Sequence, residues 1–137
     1  MVDFSEDLPA TVIAQFDNQD DEDVMITDAL QKYTSLRPET EDRLYVMTTD
    51  NIYTFKKGKK SRKYKIKDVS AIFQASDNNQ DFMLFFERDE DLHVNSAKRD
   101  ELVQILQLRF INFNRNITLR IYNVPSKDLN LYKQTNN

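Results

Sequence analysis

The chain has no cysteine, one glycine, one histidine and no apolar run of eighteen residues. Each shortage closes a class of function. Without cysteine there is no disulfide scaffold, no thiolate zinc site and no cysteine nucleophile. A single glycine argues against nucleotide loops, which need glycines for close backbone approach to phosphate. The lone histidine, His93, falls in a predicted strand with no second ligand or activated nucleophile near it, and reads as structural or surface. With no triad and no cluster of metal ligands, the expectation is a protein that is not an enzyme and needs no metal or other cofactor. The apolar segments are too short for a transmembrane span. The first ten residues, MVDFSEDLPA, are acidic and lack the basic-then-apolar order of a secretory signal, so an intracellular protein is expected.

What is present suffices for one domain with a real core: 137 residues, 39% of them hydrophobic, including nine phenylalanines and six tyrosines. The net charge of −4 conceals a division. Residues 1–42 hold twelve acids and two bases, net −10, so residues 43–137 carry −4 + 10 = +6. An acidic leader before a basic body points to an anionic partner for the body, or to the leader folding over the basic face.

The basic charge is concentrated. Residues 43–67 read RLYVMTTDNIYTFKKGKKSRKYKIK, and eight of the twelve residues from Lys56 to Lys67 are Lys or Arg. Alternation over 43–49, 52–55 and 64–67, broken at Asp50-Asn51 and at Gly58, predicts a three-stranded antiparallel meander. In its last strand Lys63, Lys65 and Lys67 are expected on one face, with Tyr64 and Ile66 on the other. Lys56, Lys57, Lys59, Lys60 and Arg62 flank the turn. This ribbon is either a solvated edge that discourages strand pairing or a contact surface for a membrane, an acidic protein or a filament. No aromatic platform is interleaved with the lysines, so nucleic acid is not expected.

The rest of the chain follows in order. Residues 1–23 are an acidic leader carrying a short apolar patch, TVIAQF, and the run DNQDDED, which reads as a solvated linker without the glycine or closing glutamate of a calcium loop. Residues 24–35 fit either a strand interrupted near Thr27-Asp28 or two helical turns. Residues 36–42 read as a loop. Residues 68–76 form a short buried segment, and 81–87, DFMLFFE, reads as a strand covered on both faces or twisted over the core. A turn at 88–91 precedes a short strand. Ser96 is placed to cap a helix over 97–113, whose Leu102, Val103, Leu106, Phe110 and Phe113 recur at helical spacing and predict a core-facing stripe. Residues 116–122 alternate as a final strand, and 126–137 read as a loose tail. Strands followed by one long helix, without βα alternation, predict a mainly β fold: a bent antiparallel barrel capped by a C-terminal amphipathic helix, the pleckstrin-homology-like outline.

Several segments, in order, resemble the tail-homology domain of class I myosins, a pleckstrin-homology-like module. They are the lysine-ended DALQK before Tyr33, RLYVMT at 43–48, DNIY at 50–53, IKDVSAI at 66–72, the serine-turn-DF step from Ser76 to Phe82, and the helix from Lys98. The resemblance covers about 70% of the chain and implies a domain over residues 24–125 that binds acidic phosphoinositides. The family's motif is a lysine on the first strand, then a basic residue, one residue and an arginine across the first loop. Lys32 and Arg43 take the outer positions. Glu41 stands where the middle base belongs, flanked by Glu39 and Asp42, and carboxylates this close oppose a phosphate by about 1–4 kcal/mol per charge pair.

The candidate anion- or lipid-binding residues are therefore Lys32, Arg43, Lys56, Lys57, Lys59, Lys60, Arg62, Lys63 and Lys65. The expected partners are acidic phospholipid headgroups or an acidic cytoskeletal protein surface. The expected role is a non-catalytic module attaching cytoskeletal machinery to an anionic surface. The alternative is a structural subunit of a larger cytoskeletal assembly, such as an axoneme, with the lipid site lost.

Overall fold

The computed structural model describes residues 8–34, 39–115 and 117–132. Eight strands form one continuous, strongly bent sheet: β1 (Val24–Tyr33), β2 (Thr40–Thr48), β3 (Asn51–Lys56), β4 (Lys59–Lys65), β5 (Val69–Ala75), β6 (Asp81–Phe86), β7 (Leu92–Asn95) and β8 (Ile121–Val124). Their spatial order is β4-β3-β2-β1-β7-β6-β5-β8. All pairs are antiparallel except β5 with β8, which is parallel. The sheet continues past the end of β1, where Gln31 and Lys32, still paired with Asp42 and Glu41 of β2, also meet Asn95 and Val94 of β7 on their other side. Helices α1 (Ala10–Ile13) and α2 (Arg99–Phe113) lie outside the sheet.

The ambiguous segment at 24–35 is a ten-residue strand. Val24, Met25, Ile26 and Leu30 are buried, because β1 has a packed face on each side over its first half. The meander forms as expected, with shifted ends. The first turn is Thr49-Asp50 rather than Asp50-Asn51, since the Thr48 hydroxyl accepts N–H bonds from both Asp50 (3.2 Å) and Asn51 (3.0 Å). The third strand begins at Lys59 and ends at Lys65; Ile66–Asp68 is a 3₁₀ turn, so Lys67 does not share a strand face with Lys63 and Lys65.

The interior is one apolar cluster. It joins Leu30, Tyr45, Met47, Ile52 and Tyr64 of the first four strands to Ile72, Phe82, Leu84, Phe86 and Leu92 of the next three. Helix α2 closes one end through Leu102, Val103, Leu106 and Phe110, each less than 6% exposed. Phe113, expected in that stripe, is 37% exposed, with the Arg109 guanidinium 5.4 Å from its ring centre. Ser96 does not cap the helix itself. It accepts from the Lys98 N–H one turn earlier, and the helix begins at Arg99. The buried Arg99 donates to the carbonyls of Ala75, Asn78 and Asp81, tying the helix start to the β5–β6 turn.

Two smaller clusters cover the outside of the sheet, in line with the readings of 81–87 as a strand covered on both faces and of the leader as folding over the basic face. Met83 and Phe85 of β6 point away from the barrel and are covered by Leu129, which is fully buried. Residues 126–132, expected as loose tail, are 3₁₀ turns whose Tyr132 ring stands 4.8 Å from that of Phe73. The last strand is shorter than expected, four residues paired with β5. The second outer cluster packs Val12 and Phe16 of the leader on Val46, Tyr53 and Phe55.

Candidate functional site

Strand register decides which cations meet. On β1 and β2, Leu30 faces the barrel interior opposite Arg43, and Lys32 follows on the same face opposite Glu41. On β3, Ile52 faces inward, so Thr54 and Lys56 do too, and Thr54 is paired with Arg62. Lys32, Arg43, Lys56 and Arg62 therefore project from the barrel's open mouth, away from α2. Burial pulls the Lys32 ammonium below its ordinary range, and the neighbouring Arg43 and Arg62 charges pull it further; Glu90 and Glu41 act in the opposite sense.

The carboxylates are arranged as closely as the cations. Arg43 is 8% exposed and donates to Glu41 at 2.5 Å and to the Asp42 carbonyl at 2.8 Å. The same bond, with the Arg43 charge behind it, lowers the Glu41 carboxyl below its ordinary value. Arg62 lies 5.5 Å above the Tyr64 ring and is ion-paired with Asp89 and, at 3.3 Å, with Glu90. The acids at 87–91, read as a polar turn, thus supply two of these three ion pairs. Asp42 takes no part, because it faces outward and accepts from Gln31. Lys59, the cross-strand partner of Lys56, shares the face of these four cations.

The β3–β4 hairpin carries the remaining charge. Its two-residue tip is Lys57-Gly58, with φ of +51° and +81°, the pattern of a type I′ turn. Gly58 suits that conformation; Lys57 adopts it at a cost of about 1–2 kcal/mol. One bulge shifts the register: Phe55 pairs with Lys60 and Thr54 with Arg62, leaving Ser61 extra. Lys56, Lys57, Lys59, Lys60 and Lys65 are exposed. Lys57, Lys59 and Lys65 form no ion pair with another described residue.

Lys60 and Lys63 are different. Beyond the bulge both lie on the outer face, over Tyr53, and both reach one carboxylate, Asp17 of the leader. These two bonds hold the Asp17 carboxyl below its ordinary value. Gln15 completes the clasp, donating to the Gly58 carbonyl at 2.7 Å and accepting the Lys60 N–H at 2.7 Å. Phe16 stacks on Tyr53 with ring centres 5.0 Å apart.

The acidic run behind Asp17 is not a solvated linker throughout. Glu22 is 5% exposed and accepts from the Thr48 hydroxyl (2.5 Å), the Asn51 amide (2.7 Å), the Tyr53 hydroxyl (2.8 Å) and the Asn18 N–H (2.9 Å). Burial alone would raise its carboxyl; the hydrogen bonds more than reverse this, and it sits below its ordinary value. Asp20 and Asp21, by contrast, are exposed. His93 is buried and stacks on Tyr33 at 4.2 Å, inside the wall rather than in any cleft. Among the described residues no group of three or more acids and histidines is placed to hold a metal, and no helix is long and apolar enough to cross a membrane.

No protein-family model matches the chain, and no curated protein matches it. Solved structures do. The pleckstrin-homology domain of human oxysterol-binding protein-related protein 11 superposes with a TM-score of 0.57 at 17% identity, over 67% of this chain and 84% of that one. The C-terminal pleckstrin-homology domain of pleckstrin gives 0.55 at 10% identity, over 64% and 96%. The DH/PH domains of PDZ-RhoGEF, in complex with activated RhoA, give 0.60 at 11% identity, over 81% of this chain and 36% of that longer one. The fold is therefore that of the pleckstrin-homology domains: a bent β-barrel capped by a C-terminal helix. Identities this low show the fold alone.

Proposed function

We propose that the chain is a non-catalytic binding module of the class I myosin tail-homology type, acting inside the cell, that docks on an anionic membrane surface containing acidic phosphoinositides. One observation carries the reading: Lys32, Arg43, Lys56 and Arg62, far apart in sequence, share the barrel mouth beside a hairpin whose Lys57, Lys59 and Lys65 are exposed. Converging cations are what a multiply charged phosphate headgroup requires, and each exposed lysine adds about 1 kcal/mol at an anionic surface. Lys32 and Arg43 are the motif positions that the family resemblance supplies.

A second reading draws on Glu41, Asp89 and Glu90. These already neutralise Arg43 and Arg62, so a phosphate must displace them. The alternative is a structural subunit of a cytoskeletal assembly, such as an axoneme, in which the hairpin lysines meet an acidic protein. Sedimentation with vesicles, with and without a few per cent phosphoinositide at about 0.15 M salt, separates the two. The expected result is phosphoinositide-dependent binding that Lys32→Ala weakens. Binding that ignores the headgroup, or none, removes the mouth from the argument and leaves the acidic protein surface.

A further inference from the structure

The leader's contact with the hairpin has a chemical form of its own. Lys60 Nζ and Lys63 Nζ close on the two oxygens of the same Asp17 carboxylate, Lys60 at 3.1 Å. The Lys60 ammonium also donates to the Gln15 carbonyl at 3.2 Å and lies 5.7 Å from the Tyr53 ring centre. Two ammonium groups converging on the two oxygens of one carboxylate, above an aromatic face, form an anion site. It lies on the outer face of the sheet, whereas Lys32, Arg43 and Arg62 face the mouth.

We infer that Lys60 and Lys63 form a second binding site for membrane phosphate groups, occupied within the chain by Asp17, so that the leader masks part of the basic face. The inference rests on the membrane reading above and deepens it. The ion pairs are about a third exposed and hold little of the docking energy. What seats the leader is Val12 and Phe16 on Tyr53 and Phe55, together with Glu22 beneath Thr48 and Asn51. Asp17 can therefore swing off the two lysines when a denser negative charge arrives, without the leader leaving its apolar seat. The Asp17 N–H, which donates to the Tyr53 hydroxyl at 2.9 Å, is a backbone group and survives any substitution except proline.

Asp17→Asn in the full chain tests this, with Asp17→Ser as a second variant and thermal unfolding to check that each folds. Binding is measured to vesicles of phosphatidylserine with a few per cent phosphoinositide. Asp17→Asn is expected to tighten binding about fivefold for each lysine released. Adding Lys60→Ala and Lys63→Ala should abolish that gain and return binding to the native level or below. Lys32→Ala should weaken both backgrounds alike. If Asp17→Asn binds as the native chain does, or its gain survives loss of both lysines, the second site falls while the mouth stands. If only Asp17→Asn binds, the mouth reading falls and the second site stands. If neither binds, both fall.

Discussion

Glu22 is the residue whose chemistry is most local and whose effect reaches furthest. It holds the leader to the β2–β3 turn through four donors, three of them side chains 26 to 31 positions away. Glu22→Ala strands Thr48, Asn51 and Tyr53, and is expected to cost about 3 kcal/mol, within the range for breaking a buried charged network. Chemical denaturation measures it; a loss under about 1 kcal/mol would mean that water replaces the carboxylate. The pH dependence has a definite sign. The folded carboxyl lies below its ordinary 4.5, so its stabilising contribution is present above that value and disappears as the pH falls through the folded value. Glu22→Gln should flatten the stability profile below about pH 4.5 relative to the native chain. An unchanged acid limb would assign acid unfolding to other carboxylates.

Among the elements, the outer coverings matter most, because they turn an ordinary two-faced sheet into a three-layered one. Strand β6 reads DFMLFF because Phe82, Leu84 and Phe86 fill the barrel while Met83 and Phe85 meet Leu129 outside. A half-exposed strand would alternate with polar residues. The buried side chain of Leu129 should therefore behave as core despite its place near the chain's end. Leu129→Ala is expected to cost about 2–4 kcal/mol and to lower the melting temperature, with vesicle binding at low temperature unchanged. A melting temperature within a degree of the native one would show that the turn at 126–132 packs too loosely to contribute. The leader is the matching cover on the other side. Its four-residue helix is far too short to form alone, and it exists because Val12 and Phe16 have Tyr53 and Phe55 to rest on.

For the molecule as a whole, charge is distributed more finely than the division into acidic leader and basic body suggests. Four of the nine cations named from the sequence have an internal partner: Arg43 has Glu41, Arg62 has Asp89 and Glu90, Lys60 and Lys63 have Asp17. Besides Lys56, the named lysines that are exposed without an ion pair to another described residue are Lys57, Lys59 and Lys65. Reversing these three to Glu should abolish binding to anionic vesicles and leave the melting temperature within a few degrees. Native binding should weaken steadily with salt, as the screening length falls from about 30 Å at 0.01 M to about 3 Å at 1 M. Binding that survives the reversal would move the docking face elsewhere.

The sequence by itself determined whatever depends on neighbours in the chain. Alternation fixed the meander, the spacing of Leu102, Val103, Leu106 and Phe110 fixed the helix and its buried face, and Gly58 marked the hairpin tip. Lys32 and Arg43 were named from the family resemblance, and strand register sets them on one face of β1 and β2. Only the tertiary structure decided the partners. Asp17 and Glu22 belong to one acidic run, yet one bridges two lysines at the surface and the other is buried. Nothing within that run distinguishes them, because the distinguishing groups lie 26 to 46 residues away. The single bulge at Ser61 sets Lys60 and Lys63 on the same outer face, an outcome that strict period-two counting reverses. Periodicity reports which face a residue occupies, whereas electrostatics depends on what stands opposite, and that is settled only when distant strands pair.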